Sequence, residues 1–223
     1  MSRLCCLIVI MASLILIIDA VDYCRMNSCG GKPHTMCLFP TRKPGAACGK
    51  LHSNLLTPTD KQNIVIAHNR WRNIVASGKE KRGKPGPQPA GVIPALAWDE
   101  DLAEIAQRWA NQCDFNHDKC RNLDKFTAGQ NLAIQKDSAQ YGASITDMIQ
   151  MWYDEVKDFN RNDVKKFKFG KDIGHYTQLV WGTTTHVGCG IAKYHDGKWF
   201  TTYLVCNYGP AGNWLNTQIY KTK

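Results

Sequence analysis

The sequence lacks several short patterns that identify a function directly. It contains no Asn-x-Ser/Thr triplet, so N-glycosylation is not expected. It also contains no Gly-x-Ser-x-Gly and no His-Glu-x-x-His, which are familiar signatures of serine hydrolases and zinc proteases. Internal repeats and low-complexity segments are absent as well. Its chemistry therefore has to be inferred from composition and from residues far apart in the chain.

Long apolar runs are confined to the N-terminus. Leu4 to Ile18 is almost unbroken apolar sequence, preceded by Arg3 and followed by the small residue Ala20. This pattern is typical of a cleaved secretory signal peptide over residues 1–20. The run of about fifteen residues is shorter than the roughly twenty that a membrane span needs, so an uncleaved anchor is the weaker alternative. We expect a secreted, extracellular protein without a transmembrane span.

Cysteines are plentiful, but unpaired cysteines are not expected. Removing the signal peptide takes away Cys5 and Cys6 and leaves an even set at positions 24, 29, 37, 48, 113, 120, 189 and 206. An even number in an exported protein implies disulfides, although eight cysteines allow 105 pairings. The mature chain is long enough to bury its own core, so the disulfides would mainly add stability outside the cell.

Acidic residues are fewer than basic ones, 19 against 28, and the net charge is +9. This charge favours anionic surfaces such as glycosaminoglycans, membranes or acidic proteins, while secretion argues against nucleic acid. Residues 157–172 combine six basic residues with Phe159, Phe167 and Phe169. Two interpretations stay open: a solvated loop whose aromatic rings pack inward, or a patch that binds anionic lipid or polysaccharide.

Capping signals and apolar periodicity predict three helices. One begins at Thr57-Pro58-Thr59-Asp60, one follows Asp99, with Cys113 on its apolar stripe, and one begins at a capping box, Ser144-Ile-Thr-Asp147. Residues 21–56 show no periodicity and are interpreted as a cysteine-rich N-terminal extension. The basic, Pro/Gly-rich residues 78–91 are predicted to form a surface loop.

The C-terminal third predicts strands instead. Residues 187–194 and 200–208 are rich in β-branched and aromatic residues and flank the turn at 195–198, which indicates a hairpin. Paired positions in an antiparallel hairpin have a constant sum. A turn centred on Gly197 and Lys198 therefore places Cys189 opposite Cys206, at a separation that suits a disulfide. With a shorter strand near Gln130–Gln135, the expected fold class is α+β.

The histidines are candidates for chemistry. His68 lies on an apolar helix face and is predicted to be a hydrogen-bonded interior residue. Four others, His34, His52, His186 and His195, are expected to be solvated. His117 and His175 are different, because with Glu155 they could form the His, His, Glu set of catalytic zinc sites. Their spacing is entirely non-local, so this stays a hypothesis.

Two longer motifs resemble those of a known family. GHYTQLVWGTT (174–184) and YLVCNYGPAGNW (203–214) are similar to the two signature motifs of the CAP superfamily, which comprises cysteine-rich secretory, antigen 5 and pathogenesis-related proteins. Tyr23-Cys24, His34-Thr-Met-Cys37 and residues 106–113 resemble the insect antigen 5 branch, which includes hymenopteran venom allergens. The resemblance implies an α-β-α sandwich with a three-stranded antiparallel sheet, formed by a CAP (SCP-like) domain at residues 57–223.

The resemblance also implies particular pairings and a site. The implied disulfides are Cys24–Cys37, Cys29–Cys120, Cys48–Cys113 and Cys189–Cys206. The implied cleft contains His117, Gln130, Glu155 and His175, and some members are reported to bind zinc or another divalent ion there. The family motif Gly-Glu-Asn-Leu reads Gly129-Gln130-Asn131-Leu132 here. Gln130 thus replaces a carboxylate, which weakens both the metal-binding and the protease interpretations.

The leading hypothesis is a secreted, venom allergen-like protein that is not an enzyme and requires no cofactor. It would act by binding a small lipid or a host protein in the recipient animal, and IgE of sensitised hosts would recognise it. One alternative is a metal-dependent hydrolase that uses His117, His175 and Glu155. The other is a salt-sensitive binder of anionic surfaces.

Overall fold

The computed structural model describes residues 21–223. The predicted signal peptide, with Cys5 and Cys6, lies outside the described residues. Within residues 21–223, no helix has both the length and the apolar composition needed to cross a membrane.

The N-terminal extension consists of short elements joined by irregular chain. Three single 3-10 turns are accompanied by helix α1 (Thr35–Leu38) and strand β1 (Lys50–Ser53). Little regular structure forms here because the apolar residues have no period, and only isolated side chains such as Cys29, His34 and Cys48 are buried. Disulfides therefore hold this segment against the rest of the chain.

The three long helices begin close to the predicted positions. Helix α2 (Pro58–Ala76) has the predicted capping box, in which Thr57 and Asp60 bond each other's backbone N–H groups. Helix α3 (Glu100–Ala110) begins after Asp99, whose side chain accepts from the Leu102 N–H. Helix α4 (Ile145–Asp154) begins after Ser144 without a side-chain cap. The predicted capping box at 144–147 was wrong, because the Ser144 hydroxyl bonds the Thr146 hydroxyl instead.

The prediction that Cys113 extends the stripe of α3 was also wrong. The helix ends at Ala110, and Cys113 lies beyond it with a left-handed φ of 55°. Its disulfide to Cys48 draws the chain away from the helix axis at this point. The turn that follows carries the chain towards His117.

The sheet is built around three long antiparallel strands in the order β5 (His186–His195), β6 (Phe200–Gly209) and β4 (Gly129–Asp137). Cys189 pairs with Cys206 in the β5–β6 register, as the constant-sum argument requires. The implied three-stranded sheet is extended by two short strands on β5. Strand β1 adds in the antiparallel sense and β3 (Ala97–Trp98) in the parallel sense, so the sheet has five strands. A separate pair joins β2 (Gly91–Val92) to β7 (Lys221–Thr222).

Helical layers cover both faces of the sheet. Helix α3 packs against β5 and β6 on one face, while α2, α4 and the short α5 (Gly174–Leu179) enclose the larger core on the other. Two strand glycines permit the close contact with α3. A Cβ on Gly188 would lie 2.3 Å from the Ala103 nitrogen, and one on Gly190 would lie 2.3 Å from Gln107 Cα. The fold is the α-β-α sandwich that the sequence motifs imply.

Within residues 21–223 the structure has four disulfides: Cys24–Cys37, Cys29–Cys120, Cys48–Cys113 and Cys189–Cys206. Two of them connect the N-terminal extension to the two ends of the segment 113–120. His117 lies between these anchors, so its backbone is restrained on both sides. The fourth disulfide connects the central strands of the sheet.

The loop 78–91 is more closely attached to the body than its composition predicts. Glu80 and Gln88 are buried, and the Tyr153 hydroxyl donates to Glu80 Oε2 over 2.6 Å. Arg82 donates to Glu80 and also to Asp154 Oδ1. These hydrogen bonds lower the pKa of Glu80 to about 2 despite its burial. The basic residues stay outside, but a buried carboxylate anchors the loop.

Candidate functional site

Glu155 and His175 form a tightly bonded pair at the start of α5. Glu155 Oε1 lies 2.6 Å from His175 Nδ1, and Oε2 accepts from the backbone N–H groups of His175 and Tyr176 at 2.8 and 3.0 Å. The geometry arises because α4 ends at Asp154, which places Glu155 beside the first turn of α5. Both carboxylate oxygens are therefore engaged with the element that carries His175.

His117 is held by a second chain of polar groups. Its Nδ1 lies 2.7 Å from Gln130 Oε1, and Gln130 Nε2 donates to Asp118 Oδ1 at 3.1 Å and to Asn207 Oδ1 at 3.0 Å. The side chains of Gln130, Asp118 and Asn207 are buried, whereas His117 is exposed at its outer edge. Asp118 is itself bonded to Thr35 and Arg121. The buried part of this network fixes the exposed ring.

These contacts select one tautomer of each ring. Gln130 directs its amide N–H groups at two oxygen acceptors, so its carbonyl oxygen faces His117 and accepts a hydrogen bond from the Nδ1–H group. The Glu155 carboxylate accepts from Nδ1 of His175 in the same way. In the neutral form of each ring, Nε2 is then the nitrogen without a proton. Partial burial lowers the pKa of His117, although the Gln130 hydrogen bond opposes the shift. His175 is near enough to add to this lowering.

The donor set does not fit a catalytic zinc ion. Such an ion takes three protein ligands, and within residues 21–223 no three His, Cys, Asp or Glu side chains are grouped to bind a metal. Glu155 supports His175 instead of standing free as a third ligand. Gln130, at the position of the other family acid, is engaged with His117 and Asp118. The site therefore provides only two metal donors from this set, the Nε2 atoms of His117 and His175.

The remaining histidines divide into interior and surface groups. His68 is fully buried and bonded to the Ile64 carbonyl and the Tyr208 hydroxyl, as predicted. The expectation that His34 is solvated was wrong: it is 1% exposed, and its Nδ1 accepts from the Met36 N–H to cap α1. His52 is exposed, and His186 and His195 are partly exposed.

Two surface hollows lie at the end of β4 remote from His117 and His175. They measure about 480 and 410 Å³ and share Phe200, with Tyr141 and Gly142 at their margins. Neither is lined by His117 or His175. The histidine pair is therefore separate from both hollows.

Sequence reasoning missed Asp118, although it directly follows His117. A charged residue in a polar turn is normally solvated, and nothing local indicates that Asp118 is buried. The one available signal was its position between Cys113 and Cys120, since disulfides tend to draw their flanking residues inward.

The sandwich and its two supported histidines define a class of extracellular protein. The CAP model, described as the cysteine-rich secretory protein family, matches residues 65–208, and the chain belongs to this family. Among solved structures, BmVAL-1 matches with a TM-score of 0.67 and 30% identity, covering 78% of this chain and 87% of that one. The crystal structure of NaASP2 with Zn²⁺ matches with a TM-score of 0.63 and 26% identity, covering 78% and 90%.

Within this family the similarity is to venom allergens of ants and wasps. The chain is 47% identical to a venom allergen 3 homolog of Dinoponera quadriceps, over 96% of each chain. It is also 47% identical to venom allergen 5 of Dolichovespula arenaria, over 91% of this chain and 100% of that one. The chain is thus venom allergen-like over nearly its whole length.

Gln130→Glu is expected to destabilise the protein by about 2–4 kcal/mol at neutral pH. The new carboxylate would lose two amide N–H donors and face the Asp118 carboxylate at about the present 3.1 Å. Two carboxylates this close raise the pKa of one of them, because both cannot be charged at low cost. As the pH falls towards that raised pKa, one carboxyl takes up a proton, and the difference in unfolding free energy from the wild type should become smaller. Urea unfolding of the variant and the wild type at pH 7.5 and 5.5 measures this difference in unfolding free energy.

The matched control is Gln135→Glu on the same strand, where the side chain is partly exposed and its amide contacts Met151 Sδ. This control should change the unfolding free energy by less than about 0.5 kcal/mol. Equal stability of Gln130→Glu and the wild type at pH 7.5 would contradict the hydrogen-bond assignment of Gln130.

Proposed function

We propose that this protein is secreted in venom and acts in the recipient animal by binding through the face that carries His117 and His175, without catalysing a reaction. The observation that supports this most directly is the engagement of Glu155, whose oxygens accept three hydrogen bonds from His175 and Tyr176. Gln130 supplies no acid or base. No free carboxylate of this set is left to activate water.

The chemistry of the face favours a polar ligand. Two imidazole Nε2 acceptors at a solvent-exposed edge suit a ligand that presents N–H or O–H donors. A small lipid would need an enclosed apolar pocket for its tail. We therefore favour a host protein over a lipid. The four disulfides suit an oxidising extracellular compartment, and recognition by IgE of sensitised hosts is part of the same proposal.

Hydrolysis is the competing function, because the Glu155–His175 pair orients an imidazole as the acid of a catalytic triad does. Within residues 21–223, however, neither His175 nor His117 has a serine, threonine or cysteine bonded to its ring. A hydrolase of this design would have to activate water by His175 Nε2 alone. No step through a metal ion is proposed, since the donor set does not fit one.

The test compares the wild type with His117→Ala/His175→Ala in recipient plasma, using quantitative affinity capture followed by reconstitution with the purified partner. His195→Ala, remote at the tip of the β5–β6 hairpin, is the matched control. We expect a host protein that the wild type and the control retain and the double variant loses. Loss of the same protein by the control would contradict the assignment of the face.

Peptide and ester turnover are measured in parallel, with zinc and with a chelator. We expect no turnover above that of His175→Ala. Wild-type turnover that disappears in a folded His175→Ala variant would establish the hydrolase instead. A stoichiometric zinc adduct in native mass spectra, lost with either histidine, would overturn the conclusion that the site does not fit zinc.

A further inference from the structure

Three large apolar side chains are exposed beside the first turn of α5. Phe169, Trp214 and Leu215 are 64%, 53% and 61% accessible, and together they are called the apolar patch. The sequence had instead suggested Phe159, Phe167 and Phe169. Phe159 and Phe167 are fully buried, so the interpretation of inward-packing aromatics holds for these two and fails for Phe169.

Backbone pairing brings the patch together. The Phe167 N–H donates to the Thr217 carbonyl over 2.8 Å, and the Asn216 N–H donates to the Phe167 carbonyl over 2.9 Å. These two hydrogen bonds pair the segment around Phe167 with residues 216–217 in the antiparallel sense. Phe169 therefore lies opposite Trp214 and Leu215. A Cβ on Gly174 would lie 3.2 Å from the Phe169 ring, while the Asn213 amide donates to the Gly174 carbonyl. Residues from both segments therefore meet around Gly174.

The apolar patch lies next to buried aromatic residues. The buried Phe167 ring packs edge-on against Trp181 and Phe169, with centroid distances of 5.6 and 6.4 Å. The Trp214 indole N–H already donates to the Ala211 carbonyl over 2.9 Å. Trp214 can thus enter an apolar phase without leaving an unpaired donor.

Lysines lie on both sides of Phe169 in the sequence. Lys165, Lys166, Lys168 and Lys171 are all exposed, whereas Asp172 is the one acid within residues 165–172. Asp163 lies 3.7 Å from the Lys168 ammonium and offsets part of its charge. An apolar centre with a cationic margin is the pattern of proteins that lie in the interface of an anionic membrane.

We propose that the apolar patch and its lysines dock the protein on anionic phospholipid membranes, with Phe169, Trp214 and Leu215 inserted at the headgroup–acyl boundary. Sulfated polysaccharide would satisfy the lysines but would give three apolar side chains nothing to enter. Exposed tryptophan at this level suits the membrane interface, where aromatic rings concentrate. This inference goes beyond the proposed function, because it concerns a different surface and requires no ligand at the histidines.

The experiment is co-sedimentation of the disulfide-bonded protein with phosphatidylcholine vesicles, with and without phosphatidylserine, at low and high salt. We expect binding that needs phosphatidylserine and weakens with salt. The Lys166→Gln/Lys168→Gln/Lys171→Gln variant should bind about a hundred-fold more weakly, at about five-fold per lysine. Phe169→Ser/Leu215→Ser should lose at least about ten-fold, because insertion buries both side chains.

Matched controls replace equally exposed residues elsewhere. Leu55→Ser/Val92→Ser and Lys32→Gln/Lys43→Gln/Lys50→Gln should leave vesicle binding within about two-fold of the wild type, and circular dichroism checks that every variant is folded. Absence of wild-type binding to phosphatidylserine vesicles at low salt would overturn the proposal. Binding that needs the lysines but survives Phe169→Ser/Leu215→Ser would also overturn it, and heparin binding would then assign the lysines to polysaccharide.

Discussion

Replacing Arg72 with alanine is expected to lower the unfolding free energy by about 4 kcal/mol, and the melting temperature by about 10 °C. Arg72 is 1% exposed and has no carboxylate partner within residues 21–223. Its guanidinium donates to four backbone carbonyls at 2.8–3.0 Å, those of Pro94, Leu179, Trp181 and Thr184. Its removal would leave buried acceptors without donors.

The planar fork of the guanidinium explains why lysine should not rescue this position. An ammonium is a point donor and cannot reach acceptors spread from residue 94 to residue 184. Burial lowers the pKa of Arg72 to about 9, so the group remains protonated at physiological pH. We expect Arg72→Lys to recover less than half of the loss in Arg72→Ala.

Arg70→Ala is the matched control for Arg72. Arg70 lies two residues earlier on α2, is exposed, and stacks over the Trp71 ring at 4.7 Å. Its loss should cost less than about 1 kcal/mol. Denaturant unfolding with the disulfides intact measures all three variants, and hydrogen exchange should show opening of residues 179–184 in Arg72→Ala. Equal stability of the Arg70 and Arg72 alanine variants would refute the proposed role of Arg72.

Arg72 also shows where sequence reasoning reaches its limit. The apolar period of α2 predicts one inward face with Ile64, Ala67, His68, Trp71 and Val75. Four of these residues are buried and Trp71 is half-buried, because apolar spacing reports directly on the buried face of a helix. An arginine next to that face is normally assumed to be solvated. Its burial depends on carbonyls that the chain brings together from more than a hundred residues away. Helix periodicity carries no information about such acceptors.

In the candidate site, too, some features could be predicted from local sequence and others could not. The hairpin register, and with it the pairing of Cys189 and Cys206, followed from local arithmetic because the turn fixes the pairing of the strands. The contacts of His117 with Gln130 and of His175 with Glu155 span 13 and 20 residues, so no local pattern predicts them. The residue types suggested that His175 and Glu155 belong to one set, and only the family motifs added Gln130. The motifs did not reveal that Asp118 and Asn207 orient the Gln130 amide, because that depends on buried side-chain geometry.

The second large effect is expected in acid, where protonation of His68 should remove about 3 kcal/mol of stability between pH 6.5 and pH 4. Complete burial lowers the pKa of His68 to about 4, and the charge of Arg72, one helical turn away, adds to the lowering. Nδ1 donates to the Ile64 carbonyl, and Nε2 accepts from the Tyr208 hydroxyl at 2.9 Å. The folded protein therefore holds the neutral ring.

The direction of the stability change with pH follows from how many protons the folded and unfolded chains bind. The unfolded chain takes up the proton near pH 6.5, while the folded chain resists it until about pH 4. The His68 contribution is fully present above pH 6.5 and is lost as the pH falls towards 4. The pKa values of His117 and His34 are also lowered by burial, so these residues add to the same slope. The pKa of Glu80 is lowered to about 2, so its own contribution is lost mostly at lower pH, as the pH falls from the ordinary carboxyl pKa of 4.5 towards 2.

His68→Gln isolates the contribution of His68, because glutamine can keep a polar contact with the Tyr208 hydroxyl but does not titrate. The difference in unfolding free energy between the wild type and this variant should be largest at pH 7 and should fall steeply from pH 6.5 to pH 4. His52→Gln, at an exposed position, is the matched control for the loss of an imidazole. A wild-type advantage over His68→Gln that stays constant across this range would mean that His68 does not control acid stability. A steep loss would show that acid weakens the core at the α2–β6 contact, where Tyr208 meets the two neighbours His68 and Arg72.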